Sequence, residues 1–302
     1  MAKKQKEFKE KRTIRGKSDI VVEVIAYIVL TTASLCAILP ILHVVSKAFS
    51  GSNYVNMGAV TFWPKAFQLD TVKYILNHTS FFNSLKNSLI VTGCGTFFAM
   101  FATITTAYPL SKPSFRGRKV VTLLYVFSMV FFGGMIPAYM VIRTLNLIDT
   151  YAAMILPYAI VQFNMFIVKN YFEGLPESVE ESARIDGAGD MKILMAIVVP
   201  MSKPVIATVS LLYAITYWNN YFHAAMYTNS PSMQTLQVYL YNTINGASAF
   251  LDNMEGSLVA NNLAADSITA AAVTLSIIPI IAAYPFVQRF MTKGITIGSV
   301  KG

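Results

Sequence analysis

The chain has 302 residues and a net charge of +9, and 55% of its residues are hydrophobic against 13% charged. Soluble domains carry about 25% charged residues, so this composition excludes an ordinary soluble domain and places the chain among membrane proteins. Cys36 and Cys94 lie within long apolar runs; they match neither a metal-ligand spacing nor a disulfide framework and read as small core or lipid-facing residues.

The first segment, 1–19, is a basic tail with eight Lys/Arg in residues 1–17. A basic stretch just before an apolar helix is a cytoplasmic anchor on anionic headgroups, so membrane lipid and not nucleic acid is its expected partner. The apolar run behind it is too long for the core of a signal peptide.

A helix rises about 1.5 Å per residue, so a hydrocarbon core of about 30 Å needs about 20 apolar residues. Six runs qualify: 24–46, 87–111, 120–142, 151–168, 204–227 and 267–288, none containing Asp, Glu, Lys or Arg. With their polar ends the fourth and sixth helices extend to 172 and 290. Backbone groups in hydrocarbon must be paired within their own segment, so the runs are helices. Prolines at 40, 109, 137, 157, 279 and 285 predict kinks. With the N-terminus inside, the inner connections and tails hold 18 Lys/Arg and the outer ones five (Lys47, Lys65, Lys73, Lys86, Arg143). That asymmetry puts both termini in the cytoplasm. The expected architecture is an all-α integral membrane protein: a tail 1–19, a six-helix domain 20–291 and a cytoplasmic tail 292–302. Two outer connections are long, 48–86 and 228–266.

The inner connection 173–203 carries the most information. Pro176 suits the first turn of a helix, and Glu177, Glu180 and Glu181 suit its positive end. Gly187 can adopt the left-handed backbone that terminates a helix, and Asp190 can cap a second one. A short helix held between the fourth and fifth spans acts as a lever on both.

Glu181-Ser182-Ala183, Asp186-Gly187-Ala188, Ile197, Pro200 and Pro204 together resemble the EAA signature of permeases in ATP-binding-cassette importers, with Ser182 in place of the usual Ala. Asn83-Ser84, the run Ala107 to Leu110 and the run Trp218 to Tyr221 are similar to carbohydrate permeases related to the second membrane subunit of the maltose system. The C-terminus from Gln288 to Gly302 is similar to a branch associated with complex oligosaccharides. The resemblance covers about 22–302. It implies a type I importer permease fold, with Glu181, Ser182, Ala183, Asp186, Gly187 and Ala188 docking on an ATPase. It also implies a second homologous permease, two ATPase subunits that carry ATP and Mg, and an extracellular sugar-binding lipoprotein. No cofactor or metal is expected on this chain. The tail 292–302 is expected to reach the ATPase interface rather than lie on the membrane.

For the oligosaccharide itself, the end of the fifth helix offers Tyr217, Asn220 and Tyr221 on one face by their i, i+3, i+4 spacing, with Trp218 and Asn219 adjacent. Gln162 and Asn164 on the fourth helix are weaker candidates. Amides and hydroxyls suit sugar OH groups, and aromatic faces suit sugar C–H surfaces. The same residues equally suit hydrogen bonds between helices and an interfacial belt. In the outer segment 228–266, Tyr239 and Tyr241 suit contact with the binding protein, and the resemblance implies that part of this loop enters it. Two other classes remain open at this point. A secondary transporter or channel would place ionisable groups inside its spans, and a membrane enzyme would show a convergent catalytic set. His43, His78 and His223 form no such set.

Overall fold

A computed structural model describes residues 17–252 and 263–298, with side chains described over 19–246 and 263–285. The tail 1–16, the segment 253–262 and the last residues 299–302 lie outside the described residues, and with them most of the expected basic tail.

Helix α1 (Lys17–Ala48) runs without a break through Pro40. Two short helices, α2 (Ser52–Asn56) and α3 (Asp70–Asn77), build the first long connection. Helix α4 (Thr79–Ser111) starts well before the expected 87. Its first two turns carry Asn83, Ser84 and Lys86, which are helical without being apolar.

The expected third span, 120–142, is not one helix. It divides into α5 (Arg118–Val130) and α6 (Met135–Thr144), bent by 116°. The cause is local: Gly133 and Gly134 follow α5, and Gly134 has φ +93°, a conformation that a side chain would resist. Pro137 then falls in the first turn of α6, where its missing N–H is no loss. The fourth span is also broken. Helix α7 (Tyr151–Ile155) continues as a 3-10 turn, Leu156–Tyr158, and then α8 (Gln162–Glu173) leaves at 53°.

Beyond it come α9 (Glu177–Ile185) and α10 (Asp190–Met201), the latter with a π turn at Leu194–Val198. Helix α11 (Lys203–Trp218) turns away from α10 by 84°. The expected span 204–227 therefore stops at Trp218 and resumes as α12 (Phe222–Tyr227). The segment expected as a polar outer loop contains a 17-residue helix, α13 (Leu236–Asp252). Helix α14 (Ala265–Gly298) runs through most of the expected C-terminal tail.

Among the described residues, three single helices are long and apolar enough to cross a membrane: Asp19–Ala48, Thr79–Ser111 and Ala265–Pro285. The three bent pairs meet the same test when each is taken as one span, which brings the total to six.

Helix α4 is the axis of the bundle, packed against α11, α8, α13 and α7. Gly95 makes the closest of these approaches possible. A Cβ there would lie 2.9 Å from the ring carbons of Tyr217. The main core gathers Val91, Ala99, Met165, Val168, Val209 and Tyr213 from α4, α8 and α11. A second core joins α1, α3 and α14 through Ala48, Ile75, Ile268 and Ala271. The described side chains of α1 from 19 to 42, Glu23 aside, are exposed, so this helix lies on the flank of the bundle.

Candidate coupling and pathway sites

At one end of the bundle, α9 and α10 form a helix–turn–helix. Gly187 has φ +76°, the left-handed turn expected of it. The Ala188 N–H donates to the Ala183 carbonyl at 2.9 Å and the Gly187 N–H to the Arg184 carbonyl at 3.0 Å, which closes the end of α9. The residue before α10 is Gly189. Asp190 does not cap the helix; its carboxylate accepts a hydrogen bond from Arg184 Nη2 at 2.8 Å. That solvent-exposed ion pair spans the turn between the two helices.

Glu181, Ser182, Asp186 and Gly187 are exposed, while Ala183 and Ala188 are half-buried under the turn. Ile185, 86% exposed, and Met191, 66% exposed, add an apolar surface to the same knob.

Glu180 points the other way. It is buried and accepts a hydrogen bond from Lys112 Nζ at 2.5 Å, and Lys112 also sits 5.0 Å over the ring of Tyr108. Glu173 joins both Lys169, at 2.7 Å, and Arg118. Arg118 further donates to the Leu110 carbonyl at 2.9 Å. The short connection after α4 is thus clamped to α8 and α9 by two ion-pair clusters. Sequence reading placed Glu180 with the helix dipole and missed this role; its partner lies 68 residues away.

At the other end, the expected sugar face separates. Tyr217 is buried and its hydroxyl donates to the Ile155 carbonyl at 2.9 Å. Its neighbour one turn back, Tyr213, accepts the Val161 N–H at 3.0 Å and bonds Thr103 at 2.7 Å. The two tyrosines of α11 satisfy backbone groups freed by the break between α7 and α8, as a polar break inside a membrane bundle requires. Asn220 is buried as well: its Oδ1 accepts the His223 N–H at 3.2 Å and so caps α12. Gln162 donates to Ser128 Oγ at 3.2 Å, tying α8 to α5, and Asn164 is buried. Trp218 is half-buried against the second core. These residues are structural in their immediate surroundings. Asn219 and Tyr221 remain accessible.

Tyr221 meets Tyr241 of α13, with ring centroids 4.7 Å apart and planes tilted by 37°. Tyr241, Asn242 and Asn245 are exposed beside it. Tyr239 turns inward instead and packs edge-on against Phe81 at 5.8 Å. The elements at this end are joined by further hydrogen bonds. Asn87 donates to the carbonyls of Ser232 and Gln234 at 2.8 Å each, and the Leu236 N–H donates to Ser88 Oγ at 2.8 Å. Asp149, itself at φ +63°, accepts from the Asn229 and Ser230 N–H groups and from the Ser230 hydroxyl. The Ser230 hydroxyl and then its amide hold the Asp149 carboxyl below the ordinary aspartate range.

An all-α bundle with up to six candidate membrane spans among its described residues and an exposed helix–turn–helix at one end is a multi-pass membrane architecture. The chain belongs to the binding-protein-dependent transport system inner membrane components, whose pattern it matches over residues 12–297. It is 41% identical over 266 residues to Protein LplC of Bacillus subtilis (strain 168), covering 88% of this chain and 90% of that one. It is 39% identical over 280 residues to the polygalacturonan/rhamnogalacturonan transport system permease protein YtcP of the same organism, covering 93% and 98%. In three dimensions it is similar to a chain of a bacterial ABC transporter involved in the import of the acidic polysaccharide alginate. The TM-score is 0.84 at 34% identity, covering 91% of this chain and 98% of that one. The chain is therefore a permease subunit of an ATP-binding-cassette importer, and the secondary-transporter and enzyme readings fall away.

Proposed function

We propose that this chain forms half of the pathway of an oligosaccharide importer, with both termini cytoplasmic, and couples to a separate ATPase through Glu181–Ala188. The observation that carries the coupling is the exposed knob of α9 and α10, fixed from behind by the buried Lys112–Glu180 pair. Glu181 faces a basic residue of the ATPase, Ile185 and Met191 fill its groove, and Gly187 permits the close turn. ATP and Mg belong to two such ATPase subunits. A second homologous permease completes the pore, and an extracellular sugar-binding lipoprotein delivers the substrate. The carbohydrates in the names of the relatives support oligosaccharides as cargo.

On this reading the pathway contact of this chain is the Tyr221–Tyr241 pair with Asn219, Asn242 and Asn245. Tyrosine rings offer a face to sugar C–H surfaces, and exposed amides serve hydroxyls. Tyr241 stands at the outer mouth, where it serves both the arriving binding protein and the sugar. Glu181→Lys and Gly187→Asp test the coupling: each abolishes uptake while the permease still inserts and pairs with its partner permease. Normal uptake in both variants would sink it.

A further inference from the structure

The connection between α1 and α3 displays Trp63 at 82%, Met57 at 77% and Phe67 at 67% exposure, with Phe62 and Tyr54 also exposed. This is a built surface. The Phe62 carbonyl accepts from Ser46 Oγ at 2.6 Å, and the Thr61 carbonyl is bonded by His43 Nδ1 at 2.8 Å. The Lys65 N–H donates to Ser50 Oγ at 3.0 Å, and the Gly51 N–H donates to the Lys65 carbonyl at 2.9 Å. Phe67 stacks on Phe49 with centroids 5.8 Å apart. On its other side Val55 and Val60 pack on Ala264. A segment ordered by so many bonds, yet presenting large rings outward, faces a partner.

Its height along α1 identifies that partner. The exposed apolar face of α1 runs from Ile20 to Leu42, a rise of about 33 Å, which matches a hydrocarbon core of about 30 Å. The charge-free run of α1 ends at Ser46, so the far boundary of the core falls between Leu42 and Ser46. The bonds to His43 and Ser46 return the chain to that level, so Thr61 and Phe62, with Trp63 next to them, lie beside the turn of α1 at that boundary. Amphipathic rings concentrate at this depth, where one face is apolar and the ring N–H meets headgroups. Lys65 sits on the headgroup side, two residues further on.

We infer that residues 61–63 are a lipid anchor: Trp63, with Phe62 beside it, inserts at the headgroup–acyl boundary of the leaflet in which α1 ends and fixes the tilt of that flanking helix. This rests on the chain being membrane-embedded, and on the proposed orientation it is the outer leaflet.

Difference fluorescence tests it. The chain contains only two tryptophans, Trp63 and Trp218. The assembled transporter is placed in nanodiscs, and the emission of the Trp63→Phe complex is subtracted from that of the unmodified complex, which cancels Trp218 and any tryptophans of the partner subunits. The remaining Trp63 signal is quenched strongly by phosphatidylcholine brominated high on the acyl chain, less by lipid brominated near the bilayer centre, and little by aqueous iodide. Addition of sugar-loaded binding protein leaves it unchanged. Three outcomes overturn the inference: iodide quenching without bromolipid quenching, quenching by neither because a subunit covers the ring, or a change on adding the binding protein. Bromolipids occupy both leaflets, so the readout does not depend on orientation. Uptake measured on the same complex in liposomes reports separately on the importer reading.

Discussion

Breaking the Lys112–Glu180 pair should uncouple the lever from the bundle. The carboxylate is 10% exposed and the ammonium 20%, at 2.5 Å. With an effective dielectric of about 20, the attraction at that separation is about 6–7 kcal/mol before desolvation is subtracted. Removing one partner of a buried pair costs about 3–5 kcal/mol, and the residual exposure of both groups brings the expected cost down to about 2–3 kcal/mol. The two single variants should not be equal. Lys112→Met leaves Glu180 as an unpaired anion under the protein surface. Glu180→Gln leaves Lys112 with an amide oxygen to bond and the Tyr108 ring beneath it, a cation–π contact of about 0.5–1 kcal/mol. Lys112→Met should therefore lower binding-protein-stimulated ATP hydrolysis about tenfold or more, Glu180→Gln by less, and Lys112→Met/Glu180→Leu should recover much of the loss by removing the buried charge. Basal hydrolysis, which belongs to the ATPase subunits, should stay. If Lys112→Met hydrolyses ATP and imports sugar normally, the pair is incidental. If the double variant is as poor as the sum of the singles, the two residues are not coupled.

Gly95→Val should disrupt folding or assembly, because even a Cβ would meet the buried ring of Tyr217 at 2.9 Å; thermal unfolding of the purified complex reads this, with Gly93→Ala, where the added carbon meets open space, as the control. Asp149 has a carboxyl held below its ordinary value, so its contribution is present above the unfolded aspartate pKa and is lost only as pH falls through the lower folded value. Hydrogen exchange at the Asn229 and Ser230 amides, corrected for the intrinsic rate, should stay slow from about pH 7 to about pH 5 and become fast in Asp149→Ala. Tyr221→Ala and Tyr241→Ala should each slow oligosaccharide uptake, and the Phe variants should restore it by keeping the rings; equal defects in Ala and Phe variants would argue against stacking.

The membrane class, the helical runs and the turn at Gly187 were legible because each depends on neighbours in sequence. Apolar length alone predicts a span, and Gly187 announces its own left-handed backbone. The breaks were harder to read. In the third span, Phe131 to Gly134 keep the hydropathy of a continuous helix while two glycines end it. In the fourth, nothing in the run from Leu156 to Val161 beyond Pro157 announces a bend, because the groups that stabilise it, Tyr213 and Tyr217, lie on another helix. Those tyrosines also explain why the expected sugar face did not survive intact. Spacing of i, i+4 places two side chains on one face, but only packing tells whether that face meets an open pathway or the backbone of a neighbour. Helix α13 escaped notice because its Asn, Ser and Gly content resembles a loop, although Leu236, Val238 and Tyr239 supply the apolar stripe that docks it on α14 and α4.

The clamp changes how a push on the lever travels. From the chain order alone, force on α9 and α10 reaches the fourth and fifth spans, which are their covalent neighbours. In the folded chain the rear of α9 is also bonded through Glu180 to Lys112, and the end of α8 through Glu173 to Arg118. Lys112 opens the connection that joins α4 to α5, and Arg118 is the first residue of α5. Helix α4 is the axis against which α8, α11 and α13 pack, and at its far end Asn87 and Ser88 hold the segment leading into α13. On the proposed coupling, a displacement of the lever would therefore reach α4 directly through the Lys112–Glu180 pair. Because α4 is one unbroken helix of 33 residues, about 50 Å long, it can carry that displacement to the Tyr221–Tyr241 mouth without passing through the bends at 131–134, 159–161 or 202.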